Sequence, residues 1–439
     1  MNILVVWPPH VPTYFNAGHH LPLFMVAEYL RKDRENVVMC IDAGAFNATW
    51  KDLANRLVDT PFDVVAIMNE FGNADGVVDL VRYVRHLRPE AKIITFGRLS
   101  SETPDLFRRF DLDAIVTSGD YEAGVAAFVA SLRTPSRVGP VAGTSVRIAP
   151  DEWSEPGEPI FLDADQWALP DVREIPYEAY DRMYLDDSKK FCGIPERREL
   201  VVPVARGCPV GCEFCEVPRQ QGLRERRRSV ETVVKYIEES FAALPFEYAS
   251  MYAPTFTLSR AWVLRFCDEL IARDARYPYK CVTTIFHLDR DLIAAMAKSG
   301  CVRISIGLET LDPPSKRALP KLKRAPEERF DEIARDCRDH GVELNCFVIV
   351  GLPGQSVEGA RYTIERVRAA GARVRPTIYT PYDQIHPSMS PKEVDTFDRT
   401  LFANGTVSPE ERRDFYALAL GTERKPTRVM DNIPLRAAG

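Results

Sequence analysis

Cys208, Cys212 and Cys215 stand within eight residues of one another, in the run Ala205-Arg-Gly-Cys-Pro-Val-Gly-Cys-Glu-Phe-Cys-Glu-Val-Pro218. The spacing C-x3-C-x2-C is too tight, and too broken by glycine and proline, for a helix, so it reads as a loop wrapped around something. Thiolates held this closely suit a soft metal or an iron–sulfur cluster. Three thiolates on a four-iron cluster leave one iron open, and an open coordination position is where chemistry happens. A structural zinc knuckle is the alternative. It needs a fourth ligand, and no His or Cys follows close downstream.

At these residues the chain resembles the radical SAM superfamily. Phe214 fills the aromatic slot of the C-x3-C-x-aromatic-C loop, and Arg206-Gly207-Cys208-Pro209 precedes it as in many members. The resemblance implies a [4Fe-4S] cluster on Cys208, Cys212 and Cys215, its open iron chelating S-adenosylmethionine (SAM). It also implies an external one-electron donor such as flavodoxin, and reductive cleavage of SAM to methionine and a 5′-deoxyadenosyl radical. That chemistry belongs to the cofactor, while the protein supplies position and shielding. Three further stretches match SAM-contacting segments. In Tyr252-Ala-Pro-Thr-Phe-Thr257, Thr255 is a cofactor contact, and Ala253 replaces an acid, leaving the methionine amine to backbone carbonyls. Ser305-Ile-Gly-Leu-Glu309 offers Glu309 for polar contacts, with Thr310 where a serine is usual. Val350-Gly-Leu-Pro-Gly354 places Gly351 and Pro353 beside the adenine, with Gln355 where an acid is common.

The elements that must position these groups fall into two α/β domains. The 439 residues are 45% apolar and 27% charged, ample for two cores. A net charge of −6 leaves no polyanion footprint, which predicts no nucleic-acid or membrane partner. The start, Met1-Asn-Ile-Leu-Val-Val-Trp-Pro-Pro9, reads as a strand and not a signal peptide. Ten cysteines then predict a reducing, cytoplasmic setting, with those off the cluster packed as small hydrophobes.

Residues 1–133 alternate five apolar runs with helical patterns, which specifies a doubly wound, Rossmann-like parallel sheet. Such sheets bind ligands at the carboxyl ends of their strands, here 8–18, 69–76, 97–104 and 118–122. This order resembles the cobalamin-binding domain that precedes the barrel in one large radical SAM class, and Asn16-Ala-Gly-His-His-Leu-Pro-Leu23 sits in the expected place. Two loops depart from it. Phe96-Gly97-Arg98-Leu99-Ser100 replaces a Gly-Gly pair, and Ser118-Gly-Asp-Tyr-Glu122 replaces Gly-Glu-Gly-Glu. Phe96 and Arg98 would fill space that a corrin tail needs as bare backbone, so this loop predicts a domain without cobalamin. His10, His19 and His20 read as surface or hydrogen-bonded groups.

Residues 134–199, rich in Pro, Asp and Glu, read as a linker. From 200 to 385 six strand–helix units fit the partial (β/α)6 barrel of radical SAM enzymes, with the cluster at the carboxyl-end face. Residues 386–439 read as a small C-terminal extension. Candidate substrate contacts at strand ends are Glu216, Tyr252, His287 and Asp383. The run Arg224-Glu-Arg-Arg-Arg228 reads as a solvated approach to the next helix, with phosphate recognition as the alternative.

Within the superfamily the chain is similar to the radical SAM diol dehydratases of aminoglycoside biosynthesis, which have such an unloaded domain. That resemblance implies hydrogen abstraction from a cationic aminosugar, loss of the neighbouring hydroxyl as water, and a separate reductase for the ketone product. The second expectation is a cobalamin-dependent radical SAM methyltransferase of natural-product biosynthesis. The third, a non-catalytic metal-binding module, leaves the SAM stretches unexplained.

Overall fold

The computed structural model describes residues 1–9, 20–134, 139–183, 193–194, 197–212, 215–274, 277–379, 384–399 and 407–420. The chain divides into two compact units. The first holds residues 1–191, 216–224 and 381–400, and the second holds 192–215, 225–380 and 401–439.

In the first unit β1 (Asn2–Trp7) and β3 (Val64–Asn69) are near-continuous apolar runs buried on both faces, the signature of central parallel strands. β2 (Val37–Asp42) keeps Val37 and Met39 exposed, as an edge strand can. The helices between them are α1 (Leu21–Arg31), α2 (Trp50–Asp59) and α3 (Ala74–Leu87). α2 starts where Thr49 and Asp52 form a reciprocal capping box. β4 (Lys92–Gly97) leads directly into α4 (Arg98–Glu102) and α5 (Pro104–Phe107), followed by β5 (Ala114–Val116) and α6 (Tyr121–Arg133). These five strands are parallel in the order β2-β1-β3-β4-β5, the flavodoxin-like doubly wound order whose switch point lies between β1 and β3. The Rossmann-like expectation therefore holds for the sheet.

Residues 134–199 are more than a linker. β6 (Thr144–Ala149) pairs antiparallel with β5, and β7 (Glu152–Trp153) pairs antiparallel with β6, giving seven strands among the described residues. α7 (Tyr177–Met183) and the turns before it clasp the same unit. Arg31 donates to Glu174 (2.6 Å), the Leu162 N–H donates to Asp120 (2.9 Å), and the Tyr180 hydroxyl donates to Asp42. His20 lies against Trp7 and contacts Asp42 through Nδ1 at 2.5 Å, so it is a buried hydrogen-bonded group. His10 and His19 lie outside the described residues. The C-terminal boundary also shifts. In the helix Pro391–Arg399, Val394 joins the first unit's apolar core with Leu53, Val77 and Leu80, and Asp395 accepts the N–H groups of Ala74 and Asp75. Proline, charge and short strands hide these contacts in the sequence, because none creates a long apolar period.

In the second unit β8 (Glu199–Pro203) opens a six-stranded parallel sheet that continues beyond the cysteine loop. β9 (Ala205–Arg206), α8 (Val217–Gln221, counted with the first unit) and β10 (Arg226–Arg227) flank that loop. The repeats follow as α9 (Val230–Ala243), β11 (Tyr248–Tyr252), α10 (Arg260–Ala272), β12 (Tyr279–Thr283), α11 (Arg290–Lys298) and β13 (Cys301–Glu309). Then come α12 (Glu327–Asp339), β14 (Glu343–Val350), α13 (Val357–Ala369) and β15 (Arg373–Ile378), with α14 being the Pro391–Arg399 helix and α15 Pro409–Leu420. The order β15-β14-β13-β12-β11-β8 is the expected partial barrel. Ser229, Asp289 and Ser356 cap α9, α11 and α13 through side-chain oxygens.

Alternate residues on these strands separate two environments. Leu344, Cys346, Val348 and Val350 of β14 are buried and apolar. The other face carries paired charges: Lys280 meets Glu199 at 2.9 Å, Tyr248 donates to the same carboxylate, and Arg303 pairs with Glu343. Buried charges persist only when paired in this way. Cys267, Cys281, Cys301, Cys337 and Cys346 are free and buried, as small hydrophobes would be. Among the described residues no helix is long and apolar enough to cross a membrane.

Candidate functional site: the cysteine loop and the strand ends

The loop begins where β8 ends. β9 and β10 close its base as an antiparallel pair, Arg206 opposite Arg226. Its path turns at Gly207 and Gly211, with φ of 82° and 63°. Cys208 Sγ lies 3.9 Å from Thr255 Oγ1, so the expected cofactor contact Thr255 is beside the first cysteine. The Cys215 N–H donates to the Cys212 carbonyl at 3.0 Å, which draws the last two cysteines together. Phe214 lies outside the described residues, as does Asp383.

The basic run after the loop corrects an expectation. Arg226 and Arg228 are buried, and the Arg227 side chain is 7% exposed. Arg227 donates to the Thr255 carbonyl (3.2 Å) and to Glu225, and its guanidinium lies 5.0 Å from the Trp262 ring centroid. The Trp262 indole in turn donates to the Arg228 carbonyl at 2.8 Å. These arginines form a clasp beneath the cysteine loop, not a solvated helix approach. Stacking on aromatics and forked donation suit arginine to such a buried role.

Glu309 ends β13 in a left-handed conformation, φ 62°, which is uncommon for a residue without the local hydrogen bonding of Asn or Asp. The β13–β14 register shifts between Gly307 and Glu309, so a bulge re-aims the strand end. Backbone strain of this kind persists only where the surroundings enforce it, and it clusters at functional sites. Glu309 Oε1 lies 3.2 Å from Lys323 Nζ, and both side chains are largely shielded from solvent. A Cβ on Gly307 would come within 2.5 Å of Glu309 Oε1 and 2.8 Å of Lys323 Nζ, so the pair occupies the space that glycine vacates. Burial pulls the Lys323 ammonium down, but Glu309 and the sulfurs of Cys212 and Cys215 overcome that and hold it up. Burial pushes the Cys212 thiol up, and Lys323 opposes the push. Sequence reasoning missed Lys323. Its only signal is a basic cluster in Leu319-Pro-Lys-Leu-Lys-Arg324.

The remaining strand ends are mixed. Gly351 and Leu352 donate their N–H groups to Gln355 Oε1, at 2.6 and 3.2 Å, so Gln355 closes the turn that presents exposed Pro353. Tyr252, at the end of β11, is 47% exposed. His287 sits in the turn after β12. Burial lowers its pKa against the opposing pull of Glu225, which favours the neutral imidazole.

In the first unit the strand ends hold a different network. Glu216 accepts from Arg98 Nε at 2.8 Å, and Arg98 also meets Glu70 at 3.3 Å and lies 5.1 Å from the Phe71 ring centroid. Phe96 is fully buried against Tyr121. The backbone of Gly97 packs on Asn69, whose side chain links Thr95 to the Ser100 N–H. Of the two side chains expected to crowd this edge, Phe96 turns into the core, while Arg98 stays at the strand ends, engaged by two carboxylates.

The cysteine loop fits a cluster by its donor set. Three cysteines that form no disulfide share one short loop, with a cation in electrostatic reach of two of them. Among the described residues no three carboxylate, imidazole or thiol groups gather closely enough to share a single metal ion. Ligands to three corners of a cluster stand wider apart than that.

Residues 202–367 match the Radical SAM superfamily. Among solved structures, the radical S-adenosylmethionine methyltransferase TsrM from Kitasatospora setae, with cobalamin and a [4Fe-4S] cluster bound, aligns over 86% of this chain and 72% of its own, with a TM-score of 0.68 and 16% identity. OxsB, a cobalamin-dependent S-adenosylmethionine radical enzyme, aligns over 91% of this chain and 55% of its own, with a TM-score of 0.67 and 16% identity. At such identities the likeness speaks for the fold. Among curated proteins, the anaerobic magnesium-protoporphyrin IX monomethyl ester cyclase of Rubrivivax gelatinosus is 26% identical over 255 residues, 54% of this chain and 44% of that protein. The cytidylyl-2-hydroxyethylphosphonate methyltransferase of Streptomyces wedmorensis is 26% identical over 184 residues, 38% of this chain and 32% of that protein. The chain thus spans less than half the length of these curated relatives. Residues 202–367 are a radical SAM domain, of the family that works with a [4Fe-4S] cluster and S-adenosylmethionine, and they follow an N-terminal unit of flavodoxin-like order.

Proposed function

We propose that this chain is a cobalamin-dependent radical SAM enzyme that transfers a methyl group to carbon in a small polar molecule. The observation that carries the reading is the carboxyl edge of the first unit's sheet. It has the order that binds ligands at the β1/β3 switch point, Phe96 is buried in the core, and the charge of Arg98 is met by two carboxylates. The fold shared with TsrM and OxsB supports it, as do the methyltransferase and cyclase names among the relatives. Sugar dehydration draws no support from them, so the doubt about cobalamin is withdrawn with it.

When bound, the cluster with SAM supplies a radical and cobalamin supplies a transferable methyl group. The chain's own residues do the positioning. Cys208, Cys212 and Cys215 hold the cluster, and Thr255, fixed through its carbonyl by Arg227, borders the first of them. Glu309 and Lys323 offer a fixed carboxylate and ammonium for the polar groups of SAM, with Gly351 and Pro353 on the neighbouring strand end. Tyr252 and neutral His287 stand at strand ends where substrate would be oriented or relieved of a proton. An external one-electron donor completes the system.

The test is anaerobic purification with hydroxocobalamin present, followed by corrin quantification from the visible spectrum and turnover with methyl-labelled SAM. About one corrin per chain and label in product are expected. A chain that takes up iron but no corrin would end the cobalamin reading and return the first unit to a scaffold.

A further inference from the structure

We propose that the Thr255 hydroxyl donates a hydrogen bond to the Cys208 thiolate and so raises the reduction potential of the cluster, with Arg227 as the positioning residue that holds the donor in place. The proposal rests on the reading that Cys208, Cys212 and Cys215 hold the cluster. Thr255 Oγ1 lies 3.9 Å from Cys208 Sγ, within reach of a hydrogen bond to an atom as large as sulfur. A metal-bound cysteine has lost its proton, so the hydroxyl is then the one group of the pair with a hydrogen to give. Thr255 is buried, and among the described residues its hydroxyl has no other hydrogen-bond partner. Both ends of this contact are tied to one short ribbon. The Arg227 main chain pairs with Ala205, on the strand that leads into Cys208, while its side chain donates to the Thr255 carbonyl at 3.2 Å. The guanidinium is itself fixed from two sides, since Nε donates to Glu225 at 3.1 Å and the Trp262 ring centroid lies 5.0 Å away. The Thr255 carbonyl also accepts the Leu258 N–H at 3.2 Å, and the Thr257 hydroxyl meets that of Thr283 on β12, so the turn is anchored to the neighbouring strand.

Reduction adds one electron to the cluster, taken from the external donor, which is oxidised by one electron. No proton moves and no bond breaks. The added charge spreads onto the thiolate sulfurs and strengthens a hydrogen bond aimed at them, so a donor to Cys208 stabilises the reduced form more than the oxidised form. Loss of the hydroxyl must therefore lower the potential. Loss of the arginine fork should do the same, but only through the hydroxyl, because a lysine in its place keeps the positive charge. A field effect alone has no reason to depend on Thr255.

The experiment uses the full chain, reconstituted anaerobically, as wild type, as Thr255→Val, Thr255→Ser and Arg227→Lys, and as the double variant of Thr255→Val with Arg227→Lys. Iron and sulfide are measured first, and midpoint potentials are then read by EPR-monitored titration without SAM. About four irons per chain are expected throughout. Thr255→Val should disfavour reduction about fivefold, equivalent to about 40 mV at about 59 mV per tenfold for one electron. Thr255→Ser keeps a hydroxyl and should stay near wild type. Arg227→Lys should lower the potential by part of that amount, and the double variant should fall no further than Thr255→Val alone. Loaded clusters whose potentials do not fall in Thr255→Val, or fall equally in Thr255→Ser, overturn the donor. Shifts that add in the double variant, or an unshifted Arg227→Lys, overturn the positioning role. If Thr255→Val fails to load, an unlowered potential in Arg227→Lys overturns the proposal alone. A wild type that takes up no iron instead removes the cluster reading beneath it.

Discussion

The two units hold polar groups at the carboxyl ends of parallel strands in different ways. In the barrel the reactive groups come from one contiguous loop, with helpers on neighbouring strand ends, and its turns leave open space. Gly354, with φ of 74°, has nothing within 4 Å of where a Cβ would sit. In the N-terminal unit the strand ends are satisfied by partners far apart in sequence. Arg98 reaches Glu216 across 118 positions, and Gly97 packs so closely on Asn69 that a Cβ would lie 1.9 Å from its carbonyl oxygen. One edge is a local motif set on a scaffold. The other is a network that exists only once the fold has formed.

The largest effect should come from the local motif. Changing any one of Cys208, Cys212 or Cys215 to Ala removes a thiolate ligand, and SAM cleavage should fall to background with loss of cluster iron. Iron analysis and 5′-deoxyadenosine detection check this, and retained cleavage in any one variant would erase the distinction between the two edges. Glycine substitutions give an intermediate effect with a built-in control. Gly354→Ala meets only the left-handed backbone penalty, about 1–2 kcal/mol. Gly97→Ala adds a clash with main chain and should cost roughly 3 kcal/mol or more. Equal losses in urea unfolding would mean that the first unit's edge is as yielding as the barrel's.

The smallest expected effect is a pH dependence confined to the first unit. Burial, followed by the neighbouring Asp75, pushes the Asp395 carboxyl up to about 7, from an ordinary value of 3.8. Between those values the folded chain binds a proton that the unfolded chain has released. Stability contributed at this site should therefore fall as pH rises through that window, with the loss complete above about 7. Asp395→Asn should flatten that part of the melting-temperature profile. An unchanged slope would show that α14 docks without regard to this proton.

Much of the barrel was legible because its signals are short and periodic. The cysteine spacing, the strand-ending Glu309 and the Gly351–Gly354 turn lie within a few residues of the apolar runs that carry them. Apolar alternation and continuous apolar runs likewise marked the eleven parallel strands, because burial requires them whatever their partners. Residues 144–153 escaped notice as strand because an edge ribbon needs no apolar run. Pro391–Arg399 read as an extension because its anchors, Val394 and Asp395, are single residues. Arg98 shows the limit most plainly. Its sequence position placed a bulky cation at the ligand edge, but only the tertiary structure decided its partners, since the carboxylates that pair with it come from residues 70 and 216. Lys323 is the converse case: an ordinary surface residue by its neighbours in sequence, made a shielded cation by a bulge and a glycine fourteen and sixteen positions earlier. Short-range chemistry is fixed by covalent spacing, whereas the direction and burial of a long side chain depend on where distant charges come to rest.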